Sequence, residues 1–349
     1  MEIGKIDINL AVDAEIDKKG FVFFNPEEKP FRIYGVKRYG DRFYRLAPEI
    51  AKTVSEGVYH LASHTSGGRI RFVTNSKRIA VLVRLTHEGH MAHMPLTGTS
   101  AFDFYVNNVY STTAIPPTNM KACAYEKILN KSDEEDIVTL YFPLYTGVKD
   151  IVIGIDEGAS LKEAPDYNYT KPIVYYGSSI TQGGCASRAG MAYPAIIERS
   201  LDADFINLGF SGSAMGEDAI ADYISNMDMS LFVYDYDHNA PTIKHLEDTH
   251  ERMFLRIREK HPDLPIVMIT KPKSPNKNDL ELRKNIIKRT YDRAIERGDK
   301  NVYLIYGTDL FDGLNNEYTI GINHPNDLGF WFMAQGILPV IKEIVNLKI

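Results

Sequence analysis

The sequence is short of cysteine, of charge runs of one sign and of long apolar stretches, and each shortage removes a class of protein. Two cysteines, Cys123 and Cys185, are too few for a disulfide framework and fall in separate domains on this reading, so both are expected as free thiols. No dense basic run offsets the formal net charge of −6, which argues against a nucleic-acid partner. Nowhere does the chain offer the roughly 20 apolar residues that a membrane span needs. The first residues, Met1-Glu2-Ile3-Gly4-Lys5-Ile6-Asp7, alternate charged and apolar side chains where a secretory signal would be continuously apolar. A cytoplasmic protein with no membrane partner is the expectation.

What is present is an ordinary globular composition, 44% hydrophobic and 25% charged, over 349 residues, a length that predicts two domains. The pattern changes near residue 165. Before it, short alternating segments dominate: 68–74, 79–85 with Ile79, Val81, Val83 and Leu85 on one face, 101–106, 137–142 and 150–155. Turn-forming stretches such as Thr65-Ser66-Gly67-Gly68 and Pro116-Pro117 separate them, which predicts an antiparallel, jelly-roll-like β-sandwich over residues 1–168. After it, strand-like runs at 173–176, 205–208, 231–236, 266–270 and 302–306 alternate with helical spacing. One helical face carries Ile243, Leu246, His250, Met253, Phe254 and Ile257, another Leu282, Ile286, Ile287, Tyr291 and Ile295, and a last helix over 328–347 meets an interruption or kink at Pro339. This predicts a three-layer α/β/α, doubly wound parallel sheet over residues 169–349.

Parallel sheets place chemistry at the carboxyl ends of their strands, so the sequences that follow each strand are read together. After the first comes Gly177-Ser178-Ser179-Ile180-Thr181-Gln182-Gly183, a tight turn that presents a hydroxyl and could equally be a plain turn with a helix cap. After the second comes Asn207-Leu208-Gly209-Phe210-Ser211-Gly212, and after the third Asp235-Tyr236-Asp237-His238-Asn239. Near the end, Asn323-His324-Pro325-Asn326-Asp327 places a loop histidine before a helix that Asn326 or Asp327 would cap. An imidazole titrates near neutrality and can take the proton that makes a serine hydroxyl nucleophilic.

These blocks together resemble the SGNH (GDSL-type) hydrolase superfamily over residues 171–349. Thr65 to Phe72 and Ser100-Ala101-Phe102-Asp103-Phe104-Tyr105 are similar to the sandwich domain of one branch, whose Gly-x-Asp-Leu-Tyr signature is altered here at Ala101 and Phe104. The resemblance implies Ser179 as nucleophile, His324 as general base, and an oxyanion hole from the backbone N–H groups of Ser179 and Gly212 with the Asn239 side chain. It further implies a carboxylic ester hydrolase that needs no cofactor and no metal, acting on a small acyl group. An O-acetyl group on a small-molecule or oligosaccharide substrate is the favoured target, by likeness to carbohydrate acetylesterases. A homo-oligomer is allowed. A carbohydrate-binding scaffold with a degenerate hydrolase fold, and a lysophospholipase for longer acyl chains, are the alternatives.

Two positions depart from the family pattern. Ser178 replaces the Asp that precedes the nucleophile, and Gly321 stands where an Asp three residues before the histidine would orient its ring. A backbone carbonyl near Gly321 or Ile322, or a carboxylate from Glu317, Asp312 or Asp237, is expected instead; loss of the orienting acid could also leave the protein inactive. Other conspicuous residues receive plain readings. His87-Glu88-Gly89-His90-Met91-Ala92-His93 lacks metal-site spacing and reads as a sandwich loop, with 87–98 the candidate wall of a substrate cleft. His238 is expected to make a structural hydrogen bond, Trp331 to lie in the core, and Asp235 and Asp237 to order their loop.

Overall fold

The computed structural model describes residues 15–311, 315–321 and 323–346. Its chain divides into two compact units. The segment Met1 to Asp7, expected not to be a secretory signal, lies outside the described residues.

The first unit is built of strands β1 (Phe21–Phe24), β2 (Arg32–Tyr34), β3 (Lys37–Tyr39), β4 (Arg42–Tyr44), β5 (Arg69–Thr74), β6 (Arg78–Leu85), β7 (Phe102–Val106), β8 (Val109–Ala114), β9 (Ala124–Asn130), β10 (Asp136–Tyr141), β11 (Val148–Asp156) and β12 (Leu161–Lys162). One antiparallel sheet runs β1-β11-β6-β9; the other runs β12-β5-β10-β7-β8, with β2 also on β5. Alternation decides the packing: Ile79, Val81, Val83 and Leu85 of β6 and Ile151, Ile153 and Ile155 of β11 share one core with Ile70 and Phe72 of β5 and Val138 and Leu140 of β10. The sandwich is therefore present. The histidine-rich loop is tied locally, with His90 Nε2 2.9 Å from Glu88 Oε2 and His87 Nδ1 2.9 Å from Thr86 Oγ1.

The second unit holds the parallel strands β13 (Tyr169–Gly177), β14 (Ala203–Gly209), β15 (Leu231–Asp235), β16 (Ile266–Ile269) and β17 (Val302–Ile305), in the order β14-β13-β15-β16-β17. Strands buried on both faces need near-continuous apolar sequence, and β16 is buried at all four residues. Helices α1 (Pro48–Val54) and α2 (Glu56–Ala62) belong to this unit although they precede most of the sandwich in sequence. The division is thus not one cut near residue 168: 45–62 joins the hydrolase unit and 187–190 joins the sandwich. Arg45 explains the first exchange, because its guanidinium donates to the carbonyls of Asn207 (2.9 Å) and Gly209 (2.7 Å) at the end of β14.

After the four-residue α3 (Leu96–Thr99) of the sandwich, the remaining helices are α4 (Ser179–Gln182), α5 (Tyr193–Leu201), α6 (Asp218–Ile224), α7 (Ile243–Lys260), α8 (Lys277–Glu296) and α9 (Asp327–Asn346). The expected face of α7 is buried at Leu246, His250, Met253, Phe254 and Ile257. On α8 the buried face is narrower than expected: Ile286 and Ile287 face the core with Thr290 and Ala294, while Leu282 and Ile295 are exposed. The helix continues through Pro339, which lies on its exposed side, so the expected interruption is absent. One reading of α9 is corrected: Trp331 is 49% exposed because Phe330, Met333, Ala334, Ile337 and Ile341 occupy the core face. By length and composition Asp327–Val345 could also cross a membrane, a stretch the chain was expected to lack; the burial of those five side chains fits a core helix equally.

Candidate active site

Three strand ends are level at one rim. Gly177, the last residue of β13, pairs with Gly209 of β14 and with Asp235 of β15, so the segments that follow all three strands emerge side by side. The first of them, after Gly177, turns into α4. Ser178 caps this short helix, its Oγ accepting from the Ile180 N–H at 3.2 Å, and Gly183 ends it at φ +103°. The family's Asp at position 178 is thus replaced by another good N-cap, and Ser179 keeps its place as the first helical residue.

Glycine is required on both sides of this turn. A Cβ on Gly177 would overlap Asp235 Oδ1 and Thr181 Oγ1, and one on Gly209 would overlap the backbone of Thr181 and Gln182. The close approach is used for bonding: Asn207 Nδ2 donates to the Thr181 carbonyl at 2.7 Å, Phe210 N–H to the Gly177 carbonyl at 2.9 Å, and Ser211 N–H to Gln182 Oε1 at 3.0 Å. The turn at Ser179 and the loop carrying Gly212 are therefore one hydrogen-bonded body.

His324 reaches this turn from a different construction. Strands β18 (Thr319–Ile320) and β19 (His324–Pro325) form a two-stranded antiparallel pair in which Ile320 faces His324. Gly321 opens the connecting turn at φ +63°, and nothing lies within 4 Å of where its Cβ would be. Asn326 then caps α9: its Oδ1 accepts from Gly329 N–H at 3.1 Å, while its Nδ2 and N–H donate to the carbonyls of Glu317 (2.8 Å) and Tyr318 (2.9 Å). The outcome is a contact of 2.9 Å between His324 Nε2 and Ser179 Oγ, across 145 residues of sequence.

The three expected oxyanion donors lie on the segments that follow these three strands. Asn239 Nδ2 donates to the Phe210 carbonyl at 2.9 Å, which fixes the amide and leaves its second N–H to give. Gly212 sits at φ +65°, and no described residue accepts from its backbone N–H. Ser179 N–H opens α4.

Of the carboxylates expected to orient His324, none is found on it among the described residues. Asp237 Oδ2 accepts from the Lys271 N–H at 2.8 Å and has no bond to His324. Burial raises this carboxyl to about 6, against the opposing pull of Lys271 and Arg283. Glu317 contributes its backbone carbonyl to Asn326, and its side chain is exposed. Asp312 and Ile322 lie outside the described residues. Asp235 and Asp237 do order their surroundings, as expected. Thr181 Oγ1 makes a short hydrogen bond to Asp235 Oδ1, Tyr193 OH lies 3.5 Å from Oδ2, and burial lifts the Asp235 carboxyl to about 8.

Arg45, Gln182 and Thr181 support the site without having stood out in the sequence. Arg45 stands 162 residues from its partner Asn207, a distance over which no local pattern speaks. Gln182 and Thr181 belong to the same block as Ser179, but nothing in the sequence distinguishes their bonding from that of any polar turn residue. Cys185 is buried, as expected of a small packed side chain, and its thiol is pushed up to about 11 by burial; both cysteines are free.

A doubly wound sheet with Ser, Asn and His converging on its carboxyl rim, in a chain that also carries an antiparallel sandwich, is the architecture of an ester hydrolase. Residues 170–342 match the model of the GDSL-like lipase/acylhydrolase family, and residues 21–161 match that of the N-terminus of SGNH-hydrolase-type esterases. The chain is similar to a protein assigned as a GDSL-like lipase from Bacteroides ovatus ATCC 8483, with 30% identity over 93% of this chain and 98% of that one and a TM-score of 0.84. It belongs to the GDSL-like lipase/acylhydrolase family. An acetyl xylan esterase from Butyrivibrio proteoclasticus shares the fold at 11% identity, 93% and 99% coverage and a TM-score of 0.63. So does a family two carbohydrate esterase from Clostridium thermocellum solved with cellohexaose, at 17% identity, 80% and 93% coverage and a TM-score of 0.57. No match was found among curated proteins.

Proposed function

We propose that the protein is a serine esterase that removes small acyl groups, acetyl above all, from hydroxyls of a carbohydrate. The observation that carries the reading is the 2.9 Å contact between Ser179 Oγ and His324 Nε2. In the first step Ser179 Oγ adds to the ester carbonyl carbon while His324 Nε2 takes the hydroxyl proton. The carbonyl oxygen becomes an oxyanion, received by the N–H groups of Ser179 and Gly212 and by the Asn239 amide. Collapse of this intermediate breaks the bond to the sugar oxygen, which leaves with the proton from His324, and the acyl group remains on Ser179. Water then attacks the acyl carbon, giving up a proton to His324, and the acid is released. Ser179 regains its proton from His324.

The carbohydrate preference is supported by fold likeness to carbohydrate esterases. The test is acid release from 4-nitrophenyl acetate, 4-nitrophenyl octanoate and an O-acetylated oligosaccharide by wild type, Ser179→Ala and His324→Ala. Each substitution is expected to lower kcat by about 10⁴-fold or more. Equal rates in all three proteins contradict the reading, and a preference for octanoate contradicts the small-acyl part of it.

A further inference from the structure

The loop that follows β14 is held by a segment that lies far away in sequence. Arg45 is buried, and besides the carbonyls of Asn207 and Gly209 its guanidinium donates to the Leu61 carbonyl at 2.9 Å and lies 4.9 Å from the centre of the Phe210 ring. Its backbone N–H donates to the Ala62 carbonyl at 2.8 Å. A planar guanidinium can serve several acceptors at once, so one side chain joins both ends of residues 45–62 to the end of β14.

Helix α2 meets the same loop at a second place. A Cβ on Gly57 would stand 2.3 Å from Ser213 Oγ and 3.1 Å from Ser213 Cβ. Gly57 lies in the first turn of α2 and is not among the residues of positive φ, so its backbone conformation is open to any side chain. Alanine is ordinarily preferred inside a helix, and here the lack of room for a methyl group accounts for the glycine. Ser213 follows Gly212 directly, in a turn that leaves little slack. The N–H groups of Ser213 and Ala214 donate to the Phe210 carbonyl at 3.0 and 3.2 Å, and the same carbonyl accepts from Asn239 Nδ2. A push on Ser213 is therefore felt both at Gly212 and at the anchor of Asn239.

We propose that Gly57, on a helix fixed by Arg45, is a positioning residue that sets where the Gly212 N–H and the Asn239 amide point. The inference rests on the esterase reading, in which both groups are oxyanion donors, and adds to it two residues that act through others. Donors of this kind work because they are aimed in advance at charge that appears only in the transition state. A displacement of a few tenths of an ångström therefore costs rate and leaves ground-state binding nearly untouched. Residues 45–62, which precede β5 in sequence, thereby become part of the support of the site.

The test is steady-state hydrolysis of 4-nitrophenyl acetate by wild type, Gly57→Ala, Ser213→Ala, the variant carrying both substitutions, and Arg45→Lys. Gly57→Ala is expected to lower kcat about 3- to 10-fold with KM unchanged. Ser213→Ala removes the oxygen that the new methyl group meets, so the double variant should return to within about 2-fold of the kcat of Ser213→Ala alone. Arg45→Lys keeps the charge and gives up the planar fork, and its kcat should fall about 10-fold or more at a KM near that of wild type. A wild-type kcat in Gly57→Ala or in Arg45→Lys, or a loss in Gly57→Ala that Ser213→Ala does not reverse, overturns this inference and leaves the esterase reading standing. A change in KM as large as the change in kcat overturns it as well. Absence of wild-type activity overturns the esterase reading and this inference with it.

Discussion

Ser179 and His324 meet at 2.9 Å, yet the chain holds them by different means. Ser179 stands on a turn wedged between three parallel strands, pinned from below by Asp235 through Thr181, from the side by Asn207, and tied through Gln182 to the loop of Gly212. His324 stands on a two-residue strand whose partner is another two-residue strand, with Asn326 securing the helix beyond. One end of the pair is part of the core of a sheet. The other is a hairpin, and it lacks the carboxylate that the family places at position 321. The contrast locates the departure of this chain from the family pattern on the side of His324, at Gly321.

The largest effect expected from probing the contrast is at the rigid end. Asn239→Ala removes one oxyanion donor and also the bond to the Phe210 carbonyl, so kcat should fall about 10²–10³-fold with a small change in KM, as steady-state kinetics would show. A larger change in KM than in kcat would mean that Asn239 serves ground-state binding, and the comparison would lose one of its two terms.

Next comes the buried carboxyl that holds Thr181, two residues after Ser179. Asp235 rises from an ordinary value near 4 to about 8 on folding, so between those limits the folded state holds a proton that the unfolded chain has lost. Stability from this group therefore declines as pH rises from about 4 to about 8. Asp235→Asn cannot ionise, and its Tm relative to wild type should climb across the same interval. Parallel Tm curves would show that Asp235 is ionised throughout and that the turn rests on a charge.

The smallest effect is expected at the hairpin. Gly321→Asp supplies the residue type that the family carries, but at a positive φ and with its Cβ in open space. It should lower stability by about 1 kcal/mol, measured by urea unfolding, and leave kcat no higher than wild type. A clear rise in kcat would show that the hairpin can turn a carboxylate onto His324, and the two ends would then differ by one residue only.

The rigid end of the pair is far more legible in the amino-acid sequence than the hairpin. Buried parallel strands need continuous apolar runs, and Ile173 to Tyr176, Phe205 to Leu208 and Ile266 to Ile269 stand out on that ground, together with the glycines that follow the first two. The sandwich strands β5, β6, β7, β10 and β11 are equally plain, since each falls in one of the short alternating segments. Strand β9, with sequence AYEKILN, is hidden by its irregular burial, and α1 and α2 are hidden although Pro48 stands at a helix N-terminus, where proline is favoured. Their role is fixed by Arg45 and by contacts far away in sequence. Trp331 misleads because a large aromatic on an apolar helix reads as core, while the helix has more apolar residues than its buried face can take. The hairpin at 319–325 has no sequence signal at all: two-residue strands carry no period, and the sign of φ at Gly321 becomes visible only in three dimensions.

The central claim is that Ser179, and not its neighbour Ser178, is the nucleophile and that His324 activates it. A fluorophosphonate, which reacts with activated serine hydroxyls, tests this directly when the labelled peptide is sequenced by mass spectrometry. The account predicts a single adduct on Ser179 in wild type, formed about 10²-fold or more slowly in His324→Ala. An adduct on Ser178 or Ser211, or labelling of Ser179 at the same rate without His324, would contradict it.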